Sequence, residues 1–520
     1  MPRFGFAIDN RVCIGCHACT VACKSEHEVS IGVNRTWVKY VEKGEYPETR
    51  RFFNVQRCNH CEDAPCVEIC PVTSLYQRPD GIVDFDNSRC IGCKACMQAC
   101  PYDALHLDPA TQTASKCNYC THRVDAGYEP ACVVVCPVGA IVSGDLDDAQ
   151  GRLAQLQNTQ RVQFPKTEKG THPKLFYVGG DEAALDPLEA PPLSSYLWSG
   201  NDGRISLPLL KQAGEEAERE SHARRTYDAK SKPPVWGWGV SAYITTKSIA
   251  AGLPMIASIL YFLGMSDRVL TTAPFLISML FLGITGLLLV GDLAQPRRFL
   301  WVLLRPQWKS WLVRGAYLIL AFSILVPVLW LVGLAGLSRV AQLALGWIGL
   351  ALAASVAAYT ALLFAQAKGR DYWQSPMLIA SMLADALIAG AAVATFMGMI
   401  EHTSPTLASR TADPSVAHGN FSADPTRTIL GICVALTAFL VMVELLQRHP
   451  TRNAQLTARL ITHGRFAGIF WGGAVGLGII LPAVTLWCGG PTWIVALLLV
   501  AGVGLRNHVL VSAPQQIPLS

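Results

Sequence analysis

Sixteen of the chain's eighteen cysteines fall before residue 140 in four tight groups, and their spacing restricts the fold more than any other feature. The first group (Cys13, Cys16, Cys19, Cys23) and the third (Cys90, Cys93, Cys96, Cys100, then Pro101) both read C-x2-C-x2-C-x3-C. In that pattern three cysteines at two-residue gaps wrap one iron-sulfur cubane. The fourth, displaced into the next helical turn, points to a neighbouring cluster. The second group (Cys58, Cys61, Cys66, Cys70, then Pro71) widens one gap, and the fourth (Cys117, Cys120, Cys132, Cys136, then Pro137) inserts eleven residues between its second and third cysteines. These insertions lengthen loops without removing a ligand. The sixteen cysteines therefore make four complete sets, which predicts four [4Fe-4S] clusters. Structural zinc uses two separated C-x2-C pairs rather than a run of three with a fourth before proline. Thioredoxin-like chemistry lacks its βαβ context here.

About half the residues are apolar, but unevenly so: the chain is polar to about residue 235 and consists largely of long apolar runs from 236 to 512. Two domains in different solvents follow. The net charge of +5 is not gathered into a basic stripe with interleaved aromatics, which excludes nucleic-acid binding. Cys13 lies too near the start for an apolar signal region or a twin-arginine leader, so the protein is expected to bring no export signal of its own. No nucleophile motif or phosphate-binding glycine loop is present, and independent substrate catalysis is not expected.

Between about 150 and 235 prolines accumulate, and a charged run from Lys211 to Arg225 is expected as a short amphipathic helix with a solvated face. Trp236 and Trp238 suit an interfacial aromatic belt. Beyond them, eight apolar segments are long enough to span a bilayer, near 241–264, 270–292, 312–335, 340–366, 376–400, 428–447, 466–488 and 491–511. Only Gly489 and Gly490 separate the last two, which leaves a hairpin or one broken span, with length favouring the hairpin. Loops on the side of the cysteine domain hold eleven lysines and arginines and the opposite loops four, so the positive-inside rule places the cysteine domain in the cytoplasm, on the inner membrane.

The four motifs, with Gln56-Arg57-Cys58-Asn59-His60-Cys61 and Cys66-Val67-Glu68-Ile69-Cys70-Pro71, resemble the four-cluster electron-transfer subunits of complex iron-sulfur molybdoenzymes over residues 5 to 150. Cys23 is followed by Lys24 where the family has proline. The resemblance implies that outer motifs pair with each other and inner motifs with each other: Cys13, Cys16 and Cys19 with Cys136; Cys117, Cys120 and Cys132 with Cys23; Cys58, Cys61 and Cys66 with Cys100; Cys90, Cys93 and Cys96 with Cys70. The spacing alone also permits serial pairing. In the membrane domain, Gly291-Asp292-Leu293, Pro296-Arg297-Arg298-Phe299, Leu304-Arg305-Pro306 and Ser310-Trp311 to Gly315-Ala316 resemble the eight-helix membrane subunits of the polysulfide and nitrite reductase type. Where that family commonly shows Gly-Arg, this chain has Ala294-Gln295.

The resemblance implies an α+β ferredoxin-like domain (1–150), an extension and linker (151–235), an all-α polytopic bundle of about eight transmembrane helices (236–512) and a short tail (513–520). It implies electron transfer between a separate molybdenum or tungsten bis-pterin catalytic subunit and the membrane quinone pool, menaquinone or ubiquinone. No paired intramembrane histidines suggest haem. A cytoplasmic catalytic site suits oxidation of a cytoplasmic substrate such as sulfite or an acyl-CoA compound. A quinol-oxidising module feeding a reductase or cytochrome, or a membrane anchor without a quinone site, are the alternatives.

Ionisable residues in lipid are costly and point to function. Lys247 in the first span, Asp292 at the end of the second and Glu444 near the end of the sixth all lie toward the cysteine domain. Tyr243 stands four residues from Lys247, on the same helix face. These four are the quinone candidates. The competing readings are that Lys247 snorkels to the interface, that Asp292 caps its helix or pairs with Arg297 or Arg298, and that Glu444 pairs with Arg448. Asp385 is expected in a proton path or an interhelical hydrogen bond. Cys433 and Cys488 are expected as packing residues, and His402 and His418 as solvated.

Overall fold

The computed structural model describes residues 2–190, 223–229, 232–264, 266, 268–336, 338–397 and 425–520. Eleven short strands occur among the described residues: β1 (Phe4–Asp9), β2 (Thr36–Lys43), β3 (Arg50–Arg57), β4 (Leu75–Gln77), β5 (Val83–Phe85), β6 (His106–Leu107), β7 (Ala114–Ser115), β8 (Ile141–Asp145), β9 (Val162–Gln163), β10 (Leu175–Val178) and β11 (Ala223–Tyr227). Short helices carry or follow the cysteine motifs: α1 (Ala18–Glu26), α2 (Pro65–Ile69), α3 (Ala95–Ala99), α4 (Thr121–Val124) and α5 (Ala131–Val134), with α6 (Arg152–Thr159) beyond them.

The central strand of the first sheet, β1, runs parallel to β10 and antiparallel to β8, in the order β8-β1-β10-β9. Its Phe6, Ala7 and Ile8 are all buried, so both faces need cover. Phe6 and Ile8 pack on the cysteine core, whereas Ala7 packs with Val142, Leu153 and Phe176 on the side of α6, as the two-residue period of a strand requires. A second sheet has the order β11-β2-β3. Each inner motif ends in a helix, its fourth cysteine and a proline, then a two-stranded hairpin: β4-β5 after Pro71 and β6-β7 after Pro101. This is the α+β iron-sulfur domain the sequence predicts.

Residues 151–235, expected as extension and linker, supply α6, β9 and β10 to the first sheet layer and β11 to the second. The charged run lies outside the described residues up to 222; its last part is a strand rather than a helix, with Arg225 buried against Asp228 at 2.7 Å.

Among the described residues, eight helices are long and apolar enough to cross a membrane: Trp238–Phe262, Thr272–Gly291, Trp311–Leu334, Arg339–Gln366, Met377–Phe396, Thr426–Leu446, Gly468–Trp487 and Thr492–Gln516. The last two are separate packed helices joined by a turn with Gly489 at φ 72°, so they form a hairpin. The seventh is π-helical over Gly468–Ile480 before continuing as an α-helix. Close crossings depend on glycine: a Cβ on Gly252 of the first span would overlap Ala386 O of the fifth, and one on Gly502 of the eighth would overlap Gly478 Cα of the seventh. His402 and His418 lie outside the described residues.

The loop between the second and third spans straps the third cysteine motif. Ala294 N–H donates to Gly92 O at 3.2 Å and Gln295 N–H to Ile91 O at 3.1 Å, while Arg298 Nη1 donates to Asn87 O and Cys90 O, each at 2.9 Å. Farther along, Gln307 N–H reaches Pro71 O at 3.0 Å and Ser310 Oγ reaches Ile69 O at 2.7 Å. The Ala294-Gln295 departure costs these contacts nothing, because the backbone makes them. Gly369, in the loop between the fourth and fifth spans, donates to Gln98 O at 3.2 Å. The tail returns as well: Gln515 bonds Gln98, Val235, Trp236 and Val511.

Candidate redox centres

In each motif the residue before the second cysteine is left-handed: Gly15 (φ 68°), His60 (φ 44°), Gly92 (φ 67°) and Tyr119 (φ 64°). Alternating right- and left-handed residues aim successive N–H groups into the loop, a cradle for anions and iron-sulfur centres. His60 N–H lies 3.5 Å from Cys58 Sγ, Gly92 N–H 3.4 Å from Cys90 Sγ and Ala140 N–H 3.2 Å from Cys136 Sγ. Glycine is required at two of these turns for a further reason. A Cβ on Gly15 would overlap the Phe53 ring, and one on Gly92 would meet Ala294 Cβ at 2.5 Å.

The sixteen motif cysteines are all free thiols, and only Cys16 among them is exposed. Helix α1 packs against α5 and α2 against α3, which brings the first motif to the fourth and the second to the third. The electrostatics follow that grouping. Burial pushes the Cys13 thiol up, with Cys136 and Cys16 adding to the shift. Burial likewise raises Cys23, then Cys117, Cys132 and Cys120 raise it further. Cys66 is raised by burial and then by Cys100, Cys58 and Cys61; Cys96 by burial and then by Cys93, Cys90 and Cys70. Cys70, Cys90, Cys93 and Cys96 also line one cavity.

Contacts between sets run in a line. Cys19 feels Cys132, Cys117 feels Cys58, and Cys96 feels Cys66. One end is the set containing Cys16, amid the exposed side chains of Val12, Ile14, Val21 and Val134. The other end is the set of Cys70, Cys90, Cys93 and Cys96, held by the strap.

The donor set fits an iron-sulfur core. Thiols such as Cys23, Cys66 and Cys96, raised by burial and by neighbouring cysteines, need a compact cation among them before they ionise, which is what iron would supply. Among the described residues no three His, Cys, Asp or Glu side chains are grouped to hold a single metal ion. Among the buried polar atoms nearby, Arg57 Nε and Nη2 have no hydrogen-bond partner among the described residues. His27 Nε2 stands 3.1 Å from Cys120 Sγ, and burial, with Arg35 and His122, lowers its pKa to about 4.

At the membrane face Trp236 is buried, stacks with Phe364 and Trp373, and donates to Cys93 O at 3.1 Å. It belongs to the domain contact rather than an interfacial belt; Trp238, 72% exposed, suits the belt. Lys247 does not snorkel. It is wholly buried, donates to Ala357 O at 3.0 Å and Thr360 Oγ1 at 2.5 Å, and lies 4.3 Å from the centre of the Tyr359 ring. Tyr243 is buried one turn away, and Thr360 faces it too. The partner of Asp292 is neither Arg297 nor Arg298 but Lys94, whose Nζ donates to the Asp292 backbone O at 2.9 Å and approaches Oδ1 at 3.4 Å. Lys94 follows Cys93, so this ion pair joins the cysteine motif to the end of the second span. The lysine offsets a carboxylate at the negative end of that helix.

Glu444 belongs to a separate polar group. It accepts from Tyr372 Oη at 2.6 Å rather than pairing with Arg448. Next to it, Asp385 of the fifth span forms a buried ion pair with Arg506 of the eighth, and Arg506 Nη2 also donates to Ser381 Oγ at 2.9 Å. The structure thus brings Tyr243 and Lys247 together near Asp292 and sets Glu444 apart. Cys433 is a buried packing residue, but Cys488 is exposed at the turn between the last spans and packs nothing. Tyr359 and Thr360 escape a search for isolated charges, the Tyr-Thr pair interrupting an apolar run being the available signal, whereas Arg506 is itself a charge within the last apolar run and was missed.

A family model described as a 4Fe-4S dicluster domain matches residues 49–146, and one described as polysulphide reductase, NrfD, matches residues 226–518. The protein is 45% identical over 190 residues to the B subunit of tetrathionate reductase from Salmonella typhimurium, covering 36% of this chain and 76% of that protein. The B polypeptide of polysulfide reductase from Wolinella succinogenes is 39% identical over 189 residues, 35% of this chain and 98% of that one. The iron-sulfur B polypeptide of a putative dimethyl sulfoxide reductase from Halobacterium salinarum is 35% identical over 229 residues, covering 38% and 87%. These relatives are iron-sulfur subunits alone, whereas here both parts occur together, in a multi-pass membrane protein that belongs to the polysulphide reductase NrfD family and carries an iron-sulfur electron-transfer domain ahead of its membrane domain.

Proposed function

We propose that the protein relays electrons through four [4Fe-4S] clusters between a separate molybdenum or tungsten bis-pterin subunit and the membrane quinone pool. The observation that carries this reading is the line of four cysteine sets, with one end exposed and the other strapped to the membrane loop. Cys13, Cys16, Cys19 and Cys136 would hold the first centre, Cys23, Cys117, Cys120 and Cys132 the second, Cys58, Cys61, Cys66 and Cys100 the third, and Cys70, Cys90, Cys93 and Cys96 the fourth. When bound, such centres supply one-electron transfer at a potential set by charge, hydrogen bonds to sulfur and solvent exposure. The apolar residues around Cys16 offer the catalytic partner a surface at the far end.

Interconverting quinone and quinol moves two electrons and two protons, so the membrane end needs proton-bearing groups beside the electron source. Lys247, Tyr243 and Asp292 supply them below the fourth set, and the Lys94–Asp292 pair joins that set to the site. Tyr359 and Thr360 position the Lys247 ammonium. The greater basic charge of the loops facing the cysteine domain supports a cytoplasmic placement.

The test is purification of the native complex in mild detergent, with metal analysis and partner identification by mass spectrometry. About sixteen irons per chain and a co-purifying pterin protein with molybdenum or tungsten are expected. Full iron with a cytochrome in place of a pterin protein would redirect the assignment to a quinol-oxidising module. Sidedness has its own readout: a membrane-impermeant maleimide should label Cys488 from outside intact cells, and labelling only after lysis would reverse the orientation.

A further inference from the structure

Arg57 is the last residue of β3 and precedes Cys58, yet its side chain leaves the second motif and reaches the fourth. It is 1% exposed, among the largest buried side chains of the protein. Nη1 donates to Cys132 Sγ at 3.1 Å, and the guanidinium carbon stands 4.7 Å from the centre of the Phe6 ring. Nε and Nη2 have no hydrogen-bond partner among the described residues.

A buried guanidinium normally needs a carboxylate or several carbonyls, because an isolated charge in a low-dielectric interior is costly. Phe6 supplies only a ring face, and the one hydrogen-bond acceptor the side chain meets is sulfur. Burial opposes the charge on Arg57, and the sulfurs of Cys132, Cys117 and Cys19 outweigh that opposition. Cys117 and Cys132 belong to the second set, Cys19 to the first. The cation is thus anchored at the junction of two redox centres and touches the second directly.

We propose that Arg57 is a positioning residue of the electron relay that holds the reduction potential of the second set, Cys23, Cys117, Cys120 and Cys132, above the value it would otherwise have, and that of the first set to a smaller extent. This rests on the cysteines being cluster ligands. Each electron taken up adds one negative charge between the four sulfurs. A fixed guanidinium bonded to one of those sulfurs stabilises the reduced form more than the oxidised form. The two N–H groups without a partner among the described residues would extend the same effect to the bound centre. Carried by β3 and packed on β1 through Phe6, the guanidinium needs no rearrangement when the charge changes. The side chain also closes the space between outer and inner motifs with a positive charge at the middle of the relay, where an electron passes from the second set to the third.

The experiment is a redox titration of the full-length membrane protein followed by low-temperature electron paramagnetic resonance, on wild type, Arg57→Gln and Arg57→Lys. Cys120→Ser and Cys16→Ser identify the signals of the second and first sets. In Arg57→Gln the second set should become about tenfold or more harder to reduce, a shift of about 59 mV per tenfold for one electron. The first set should move less and the fourth not at all. Arg57→Lys, which keeps the charge and loses the fork, should restore part of the shift. Unchanged potentials at full iron content, or an equal shift in all four signals, would overturn the assignment. If Arg57→Gln fails to assemble, Arg57→Lys decides: its second set should titrate below wild type by more than its first set, and unchanged potentials at full iron content reject the proposal. A wild-type protein with no iron would instead sink the ligand assignment on which it rests.

Discussion

The two halves of the protein differ in how certain buried charges are satisfied. In the membrane bundle the buried charges find protein partners: Lys247 has Ala357 O, Thr360 and the Tyr359 ring, and Asp385 has Arg506. In the cysteine domain Arg57 keeps two donors without a partner among the described residues, and the thiols of Cys23 and Cys66 are pushed up by burial and by neighbouring cysteines. Buried neutral polar atoms without a partner among the described residues occur in both halves, Ser258 Oγ and Thr395 Oγ1 of the bundle among them, so the difference lies in the charged groups. A buried cation whose acceptor is a cysteine sulfur is the group to follow when a cofactor is sought.

The sharpest test of that contrast is Cys96→Ser. Because the fourth set joins the line to the membrane loop, its loss should remove about four irons and abolish quinone-linked turnover while the first-set signals persist. Turnover at the wild-type rate would break the serial order. Next in size, Lys247→Met should lower quinone turnover about 100-fold, the scale of a lost proton donor, without lowering the melting temperature, since replacing a buried charge by an apolar chain of similar volume is often neutral or stabilising. Equal turnover in the variant would leave Lys247 as packing.

Arg506→Met addresses the other polar group. Leaving Asp385 as an unpaired buried carboxylate should cost about 3–5 kcal/mol, read as a lower unfolding temperature in detergent, and the double change with Asp385→Leu should recover most of it. Additive losses would mean that the pair is not the source. The smallest effect is expected at His106 in β6, where burial, with Lys232 and Arg35, lowers the pKa to about 3. A histidine with a lowered pKa favours folding above its ordinary value near 6.5 and loses that contribution as pH falls toward 3. His106→Leu should therefore shift acid-induced bleaching of the iron-sulfur absorbance to lower pH, and an unchanged midpoint would assign acid lability to other groups.

The iron-sulfur domain and the eight candidate spans were legible because each carries a periodic constraint: cysteines at fixed gaps, or about twenty apolar residues in a row. What resisted reading depended on long-range juxtaposition. Trp236 resembles a belt residue by position and proves buried because the third motif lies above it. Asp292 has arginines nearby in sequence, yet Lys94, about two hundred positions earlier, reaches it. Leu175–Val178 has the composition of a strand, but nothing local says that its partner is the first strand of the chain. The end of the charged run shows the limit of composition, for Ala223–Tyr227 forms a sheet edge in which Arg225 is buried against Asp228.

The strap over the third motif has a consequence for sequence change. Residues 294 and 295 contribute backbone N–H groups, so most amino acids other than proline can stand there without loss of either bond. Residue 92 has no such freedom, being left-handed with Ala294 against it. The junction is thus permissive on the membrane side and intolerant on the cluster side. Drift at residue 294 would leave the backbone bonds of the strap in place, whereas a single methyl group at position 92 would force the strap and the third motif apart.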